Sequence, residues 1–280
     1  MGMFKKVILK DIQRFLEEDD FSRHPLALSK LPMDMVECEL KVKTPMLLSG
    51  LPWFEATFDY LGAETSSLNI KENEGRYFDK PTTIKLNLPF AVALTGERVA
   101  LNLLARASAV ATHTKRFVEA VKDTNVKILD TRKTTPGLRG LEKYAVVSGG
   151  GFNHRYGPTD MWMIKDNHKS FFGGVAAAID FFKSLNAGYT PLELEVHNLQ
   201  EFDQALEMGV KHIMLDNFSP ELVAKAIQKK KSDTTIEVSG GINLDTVKSY
   251  AIDGVDFISV GSLTYGAPAV DLSLKFGSRV

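Results

Sequence analysis

The chain has 280 residues, which is enough for one large α/β domain or for a barrel with a smaller companion domain. Its 34 Lys and Arg residues nearly balance its 35 Asp and Glu residues, and the isoelectric point near 6.6 offers no general attraction to nucleic acid or anionic membranes. Cys38 is the only cysteine, and the sequence contains neither a signal-peptide pattern nor a membrane-length apolar run, so we expect a cytoplasmic protein without disulfides.

Residues 1–107 combine helices and strands without a regular alternation, which indicates an α+β domain. The pattern predicts an opening helix, a proline-containing loop, an extended run over residues 34–42, an apolar, turn-rich stretch over 44–61 and another extended run over 82–94. No base is patterned around Cys38, so we interpret it as a small buried apolar residue rather than a nucleophile.

A long amphipathic helix is predicted from Gly96 to about residue 121, where apolar residues recur at steps of three and four. Arg98 would lie in its first turn, beside the positive end of the helix dipole, where a cation is disfavoured. On local grounds Arg98 is interpreted as a solvated surface residue.

From Val126 onward the chain repeats a strand followed by a helix six times, which is typical of a parallel (β/α) barrel or a doubly wound sheet. A polar group follows every strand, and only a barrel brings all strand ends to one mouth. We therefore predict an incomplete (β/α) barrel over residues 108–270, with a tail, 271–280, that can return to the first domain. The strands are predicted to end near Leu129, Ile164, Val196, Leu215, Val238 and Val260, with helices over residues 170–185, 199–208, 220–230 and 244–252.

Cations are concentrated in residues 128–168, where six Lys or Arg residues stand against four Asp or Glu residues although the net charge of the chain is -1. Like charges at strand ends repel one another unless an anion lies between them, so this excess predicts a pocket for carboxylates or phosphates. Lys165 has an alternative interpretation as a Schiff-base lysine. The candidate cations are Arg132, Lys133, Arg139, His154, Arg155 and Lys165.

Two glycine-containing turns, Ser239-Gly240-Gly241 and Gly261-Ser262, follow the last two strands. Barrels commonly hold phosphate at this place on backbone N–H groups, although ordinary turns have the same composition. Glu195 and Asp216 suit ribose hydroxyls or a hydrated Mg²⁺, or else act as structural partners of the cations. Thr131 can bond either to its own loop or to a phosphate.

These groups belong to longer motifs, of which DTRKTTPGLR (130–139) followed by EKYAVVSGGGFNHR (142–155) is the most specific pair. Further motifs are ERVALNLL (97–104), SAVAT (108–112), IKDNH (164–168), LELEV (192–196), LDNF (215–218), EVSGGI (237–242) and SVGSLTYGAPAVDLSLK (259–275). Together they resemble the quinolinate phosphoribosyltransferase family, also called nicotinate-nucleotide pyrophosphorylase (carboxylating). Residues 47–62 (LLSGLPWFEATFDYLG) resemble the first domain of that family.

The resemblance implies an N-terminal α/β sandwich and an incomplete α/β barrel. It implies homodimers in which the sandwich of one subunit covers the barrel mouth of its neighbour, and leaves open whether dimers assemble into hexamers. It also implies a reaction in which quinolinate and phosphoribosyl pyrophosphate give nicotinate mononucleotide, pyrophosphate and CO₂, a step of de novo NAD synthesis that uses Mg²⁺.

The resemblance assigns roles to the candidate residues. Arg132, His154, Arg155 and Lys165 would hold the two carboxylates of quinolinate, and Lys133 would be shared between quinolinate and pyrophosphate. Arg98 would act on the substrate from the neighbouring subunit. Glu195 and Asp216 would hold the ribose hydroxyls and Mg²⁺, directly or through water. Ser239, Gly240 and Gly261 would hold the 5-phosphate of phosphoribosyl pyrophosphate, and Thr131, Gly241 and Ser262 are further expected substrate-binding residues. The expected catalytic residues are Lys133, Lys165, Glu195 and Asp216.

Three segments depart from the family pattern. EEDDFSRHPL (17–26) replaces an acidic, glycine-rich loop, which leaves the lid or dimer contact there open. SAVAT (108–112) replaces Ser-Gly-Ile-Ala-Thr, a mild repacking, and Tyr265 replaces a residue that is often His, so we expect an altered phosphate contact. Two rival functions are a related barrel transferase for a monocarboxylate pyridine and a non-catalytic nucleotide-binding barrel.

Overall fold

The computed structural model describes residues 3–22, 28–65, 71–185 and 188–279, with side chains between residues 7 and 277 of these ranges. Residues 23–26 of the divergent segment 17–26 lie outside the described residues. The chain divides into two compact units, which we describe separately. The first unit comprises Met1–His113, Thr135–Gly149 and Ala267–Val280, and the second comprises Thr114–Thr134 and Gly150–Gly266.

The first unit contains a three-stranded antiparallel sheet with the order β11-β1-β4. β1 (Met35–Val42) is the central strand, β4 (Thr82–Pro89) pairs along one edge and β11 (Leu272–Arg279) along the other. Successive side chains of a strand point to opposite faces, and the inward face of β1 includes Cys38 and Leu40, both fully buried. The prediction that Cys38 is a buried apolar residue is therefore confirmed.

Two helices of the first unit precede and follow β1. α1 (Met3–Glu18) buries Ile8, Ile12 and Leu16 on one face, at the four-residue spacing of a helix. α2 (Leu51–Tyr60) buries Phe54 and Phe58, which join the same core as the inward residues of β1. Short strands β2 (Met46–Leu47) and β3 (Tyr77–Phe78) form an antiparallel pair, and a 3-10 turn covers Lys71–Asn73.

The long helix α3 (Phe90–Ala120) begins earlier than expected, because residues 90–94 continue from β4 as helix rather than strand. Gly96 is not the helix start. A Cβ at Gly96 would lie 2.9 Å from the ring of Phe58, so glycine is required there for close packing of α3 on α2. Arg98 is consequently well inside the helix, and the argument from the helix dipole does not apply to it.

The first unit extends beyond the predicted boundary at residue 107, to His113, and it includes α4 (Arg139–Ser148), which was expected in the barrel. An ion pair joins α4 to α3: the fully buried side chain of Glu142 lies 2.6 Å from Arg106. Prediction in chain order assigns residues 135–149 to the barrel, whereas in the structure they belong to the first unit.

The second unit contains a six-stranded, fully parallel sheet with the order β5-β10-β9-β8-β7-β6. Each strand ends within one residue of its predicted end, and the predicted fold class, a sandwich with an incomplete barrel, is confirmed. The strands are β5 (Lys127–Leu129), β6 (Trp162–Ile164), β7 (Leu192–Val196), β8 (His212–Asp216), β9 (Thr235–Ser239) and β10 (Phe257–Ser259).

The edge strands of this sheet, β5 and β6, are consecutive in the chain but are not paired with each other. Phe152 lies along the free edge of β5 instead. Its N–H donates to the Ile128 carbonyl at 2.8 Å, and its own carbonyl accepts from Asp130 N–H at 3.1 Å. One residue thus takes a strand position at the edge, and the residues after it, Asn153 to Arg155, follow the direction of β5 towards its carboxyl end.

The expected helix over residues 170–185 is two helices, α5 (Asp166–Phe172) and α6 (Val175–Leu185). Gly173 and Gly174 separate them with φ values of +81° and +139°, a conformation that ends a helix and that favours glycine. The last predicted helix is also shorter, at Val247–Tyr250. The remaining helices are α7 (Leu199–Glu207), α8 (Pro220–Lys229), α9 (Val247–Tyr250) and α10 (Ser262–Tyr265).

The parallel strands alternate between apolar and polar side chains, as the period of two requires. In β7, Leu194 and Val196 are fully buried on one face, while Glu193 and Glu195 share the other face. This second face carries the residues that line the cavities described below. Within the described ranges, no helix is long and apolar enough to cross a membrane.

Candidate active site

A cavity of about 410 Å³, here called the strand-end cavity, opens at the carboxyl ends of the parallel strands. Nine of the predicted site residues line it together, from the ends of β5 to β9 and from the segment after Phe152. Its lining residues are Thr131, Arg132, Lys133, His154, Arg155, Met163, Lys165, Glu195, Met214, Asp216, Ser239 and Ser259.

Two arginines give this cavity a strongly cationic wall. The guanidinium of Arg155 donates from Nη1 to the Met161 carbonyl at 3.0 Å, which fixes the side chain. Burial and the nearby charge of Arg132 lower the pKa of Arg155, while Glu193 and Glu195 act in the opposite direction. Two guanidiniums that repel each other at one cavity are suited to a ligand with more than one negative charge.

The same cavity also carries carboxylates on β7 and β8. Lys165 Nζ donates to Glu195 Oε2 at 2.8 Å. Asp216 accepts from the side chain of Asn217 at 2.7 Å, and Asn217 has a left-handed φ of +57°. Burial and the negative charge of Glu195 raise the pKa of Asp216. A cation between the two carboxylates would relieve this repulsion, and their hard oxygen atoms are the ligands that Mg²⁺ prefers.

His197, which sequence reasoning missed, lies among these carboxylates. Its Nε2 is 2.7 Å from Asp166 Oδ1 and 3.6 Å from Glu195 Oε1, and its Nδ1 is 3.6 Å from Asp216 Oδ2. Asp166, Glu195 and His197 have ligand atoms close enough to share a metal ion. The signal in the sequence is position, since residues 193, 195 and 197 have the same parity in β7 and its extension.

A second cavity of about 220 Å³, the glycine cavity, holds the remaining predicted residues of the barrel: Gly240, Gly241, Gly261 and Ser262. It also contains Tyr265. Four residues line both cavities, so the two sites adjoin each other; these residues are Thr131, Lys133, Ser239 and Ser259.

Glycine is needed at two points of this cavity. Gly240 has a φ of +95°, and a Cβ there would lie 2.4 Å from Asn217 Oδ1 and 2.7 Å from the Asn217 backbone nitrogen. A Cβ at Gly261 would lie 2.9 Å from the Lys133 side chain and 3.0 Å from the Tyr265 ring. Gly240 therefore allows the backbone after β9 to approach Asn217 closely, and Gly261 allows Lys133 and Tyr265 to approach the backbone after β10.

The loop after β5 is held by two threonines. Thr131 Oγ1 accepts from the Lys133 backbone N–H at 3.0 Å, so in this structure Thr131 bonds to its own loop. Thr264, which is buried, donates to the Lys133 carbonyl at 2.7 Å. These bonds connect the backbone of Lys133 to α10 and thereby to the glycine cavity.

His154 lines the strand-end cavity, but both of its ring nitrogens have protein partners. Nδ1 accepts from the Arg155 N–H at 2.7 Å, and Nε2 lies 3.1 Å from Glu193 Oε2 and 3.4 Å from Glu237 Oε2. Burial lowers the pKa of His154, but the hydrogen bonds to the two carboxylates outweigh burial and raise it to about 10. The Arg155 contact, by contrast, favours a ring whose only proton is on Nε2. The Arg155 N–H therefore opposes protonation of Nδ1, and the hydrogen bonds in this structure are those of the ring that carries its proton on Nε2.

Asp130 holds the backbone of His154 from the end of β5. Its fully buried carboxylate accepts from the His154 N–H at 2.9 Å and from the Asn153 side chain at 2.6 Å. Asp130 is the first residue of the motif at 130–139, and nothing in the sequence indicates this role. Its contacts position the segment that carries His154 and Arg155 beside the loop that carries Arg132.

Arg98 belongs to the first unit, where it is exposed and lines a cavity of about 350 Å³. The other polar residues of this cavity include Glu18, Asp19 and Asn102. Its expected role in a neighbouring subunit remains a prediction. Arg139, another candidate cation, begins α4 of the first unit and does not line the strand-end cavity.

A parallel barrel with cations, paired carboxylates and glycine turns at its strand ends defines a class of enzymes that bind phosphorylated and carboxylated small molecules. Comparison with known proteins narrows this class. A family model described as quinolinate phosphoribosyl transferase, C-terminal domain, matches residues 110–275. The chain belongs to the quinolinate phosphoribosyltransferase family.

Individual relatives agree with this assignment. A probable nicotinate-nucleotide pyrophosphorylase (carboxylating) of Bacillus subtilis is 36% identical over 238 residues, which span 85% of this chain and 82% of the relative. The human nicotinate-nucleotide pyrophosphorylase (carboxylating) is 37% identical over 248 residues, which span 87% and 83%. The crystal structure of NadC from Streptococcus pyogenes has a TM-score of 0.87 at 32% identity and covers 99% of this chain and 100% of its own.

Proposed function

We propose that this protein transfers a phosphoribosyl group to quinolinate and releases CO₂, forming nicotinate mononucleotide and pyrophosphate in NAD biosynthesis. The observation that supports the proposal most directly is the strand-end cavity, where Arg132, Arg155 and Lys165 line one space with Lys133. Four cations around about 410 Å³ suit a small dianion better than a monocarboxylate.

The two substrates occupy adjoining cavities. The carboxylates of quinolinate bind the cationic wall, where Arg132 and Arg155 can each make two parallel hydrogen bonds to a carboxylate. The 5-phosphate of phosphoribosyl pyrophosphate binds in the glycine cavity. Lys133 lines both cavities and therefore lies between the pyridine site and the 5-phosphate site, and the family resemblance implies that it is shared with pyrophosphate.

Transfer begins when the lone pair of the pyridine nitrogen forms a bond to ribose C1. The bond from C1 to pyrophosphate breaks with its electron pair on oxygen, through a transition state with positive charge on the sugar. Glu195 and Asp216 lie on adjacent strands where they can hold the ribose hydroxyls and stabilise that charge. Positioning and charge complementarity supply the catalysis, so no covalent intermediate with Lys165 is needed.

Decarboxylation follows from the new charge on the ring nitrogen. The bond between C2 and its carboxylate breaks, CO₂ leaves, and the electron pair on C2 is stabilised by the adjacent cationic nitrogen before C2 takes up a proton. The protein holds the pyridine ring in place while the C2 carboxylate leaves as CO₂. Arg155, fixed by the Met161 carbonyl, is placed to do this.

The carboxylates of Glu195 and Asp216 fit Mg²⁺, because burial and mutual repulsion disfavour two unpaired negative charges there. Bound Mg²⁺ would neutralise charge on the pyrophosphate leaving group. Glu195 Oε2 is already paired with Lys165, so Asp216 and the other oxygen of Glu195 are the available ligands, directly or through water.

We also propose that the enzyme is a cytoplasmic homodimer. The exposed position of Arg98 supports a contact with a neighbouring subunit, as the family resemblance implies. The single, buried and free Cys38 agrees with a reducing compartment.

Purified protein supplied with quinolinate, phosphoribosyl pyrophosphate and Mg²⁺ is expected to release CO₂ and pyrophosphate in equal amounts. The measurement follows both products, with nicotinate as the matched substrate that lacks the second carboxylate. Turnover of nicotinate without turnover of quinolinate would identify a monocarboxylate transferase instead. Ligand binding without pyrophosphate release from either pyridine would identify a non-catalytic nucleotide-binding barrel.

A further inference from the structure

The buried carboxylates of Glu193 and Glu237 meet at His154 in the barrel interior. Glu193 lies on β7 and Glu237 on β9, and their side chains are 4% and 5% exposed. One oxygen of Glu237, Oε1, has no hydrogen-bond partner among the described residues. Burying two carboxylates costs stability unless each is paired, so this arrangement is not explained by packing.

Glu193 and Glu237 do not line the strand-end cavity. They line a third cavity of about 450 Å³, here called the barrel-floor cavity, with residues from the amino ends of the strands, including Lys127, His212 and Phe257. His154 and Arg155 line both the barrel-floor cavity and the strand-end cavity. His154 and Arg155 therefore lie between the strand-end cavity and the two carboxylates.

His154 has no ring nitrogen left for a ligand unless one of these bonds breaks. Nε2 faces the two carboxylates at 3.1 and 3.4 Å, and Nδ1 accepts from the Arg155 N–H at 2.7 Å. Rotating the ring would leave two buried carboxylates without their shared donor, which is costly. The contact at Nδ1 also fixes the backbone at the point where the Arg155 side chain begins.

We propose that Glu193 and Glu237 are positioning residues for Arg155, the residue that binds the dianion. They hold the His154 ring, and the ring holds the backbone of Arg155 through Nδ1, so neither glutamate touches the substrate. This inference deepens the proposed function and rests on it for the identity of the dianion. His154 then connects the two glutamates to Arg155, and Arg155 makes the contact with the substrate carboxylate.

The test is a comparison of Glu237→Gln and Glu193→Gln with the matched control Glu207→Gln, which alters an exposed residue at the end of α7. Gln keeps the size of Glu and an oxygen acceptor but removes the charge. We expect the KM for quinolinate to rise about 10-fold in each interior variant, in the range of one charge-assisted hydrogen bond. The KM for phosphoribosyl pyrophosphate and kcat should stay within about 3-fold of the unsubstituted enzyme, and Glu207→Gln should change none of them.

A purely structural role would lower the unfolding temperature and raise both KM values together, and that result would overturn the proposal, as would an unchanged KM for quinolinate. If Glu193→Gln does not fold, Glu237→Gln decides alone, because it leaves Glu193 in place as a partner of His154. Calorimetric binding of quinolinate alone separates the two ideas. If the unsubstituted protein does not transfer the phosphoribosyl group, the proposed activity is refuted. Weaker quinolinate binding by the variants than by the unsubstituted protein still supports positioning. Equal binding by all of them, or no binding by the unsubstituted protein, refutes positioning.

Discussion

At the scale of single residues, Gly240 shows how one backbone position constrains the site. Its φ of +95° disfavours any side chain, and a Cβ would come within 2.7 Å of the Asn217 backbone, which cannot move without moving β8. Gly241 has a φ of +63° but no atom within 4 Å of its Cβ position. A side chain at Gly240 would cause both backbone strain and a steric clash, whereas a side chain at Gly241 would cause backbone strain alone.

Gly240→Ala is expected to raise the KM for phosphoribosyl pyrophosphate at least 10-fold and to lower the free energy of unfolding by roughly 2 kcal/mol or more, because strain and collision act together. Gly241→Ala, the matched control, should lower the free energy of unfolding by about 1 kcal/mol and leave the KM closer to normal. Steady-state kinetics and denaturant titration measure both quantities. Equal effects of the two substitutions would show that the collision is relieved at no cost.

Charge that was unusual for its surroundings was the signal in the sequence for the residues of the strand-end cavity. The excess of Lys and Arg after β5 and β6 drew attention to Arg132, Arg155 and Lys165, and these do share one cavity. Glu193 and Glu237 were missed because each is flanked by apolar residues inside a strand, and the candidate residues were taken from the strand ends. Their parity with Glu195 and Ser239 was the available signal.

At the scale of elements, an ion pair with a fully buried carboxylate connects α3 and α4 in the first unit. Arg106 donates to Glu142 Oε1 from Nε at 2.8 Å and from Nη2 at 2.6 Å, and Glu142 Oε2 accepts from Thr135 N–H at 3.0 Å. Glu142 is fully buried, so it depends on these partners.

Arg106→Met is expected to lower the free energy of unfolding by about 3 kcal/mol, because it leaves a buried carboxylate without its cation. The control Lys85→Met removes a cation from an exposed pair with Glu37, at 2.9 Å, and should leave the free energy of unfolding unchanged within error. Urea titration of both variants makes the comparison. A loss no larger in Arg106→Met than in Lys85→Met would contradict the assigned importance of the buried pair.

The parallel strands were predictable because buried strands bounded by polar groups have a clear signal. Helix ends were less predictable. Residues 90–94 are apolar throughout and fit a strand or a helix equally by pattern, and in the structure they form the first turn of α3. The Gly173-Gly174 break was readable from composition, but it lies inside an apolar pattern that resembles one continuous helix.

At the scale of the whole molecule, the single thiol reports on the integrity of the first unit. Cys38 is fully buried in the centre of the sheet, and burial, with the negative charge of Glu97, raises its pKa from 9.0 to about 11. Because the thiolate is the reactive form and the thiol is fully buried, reaction near neutral pH is expected to be slow until unfolding exposes the thiol.

Native protein at pH near 8 is therefore expected to resist iodoacetamide, whereas protein in denaturant should take up one label per chain. The reaction is followed by mass spectrometry as denaturant increases, and labelling should rise with the loss of the sheet. Rapid, stoichiometric labelling of the native protein would contradict the burial of Cys38.

The two units could not be delimited from the sequence because each is assembled from separate stretches of chain. Prediction proceeds along the chain and places residues 135–149 with the barrel that surrounds them, whereas the contacts of Glu142 place them in the first unit. Long-range side-chain pairs of this kind have no periodic signal.

The central position of β1, between β4 and β11, has a consequence for biosynthesis. At a translation rate of about 5–20 residues per second, the ribosome needs on the order of ten seconds or more to pass from Pro89 to Leu272. During that interval one edge of β1 has no neighbour from its own sheet, and the nascent barrel is completed first. The edge of β1 that will pair with β11 is therefore open to pairing with other nascent chains until β11 has been synthesised.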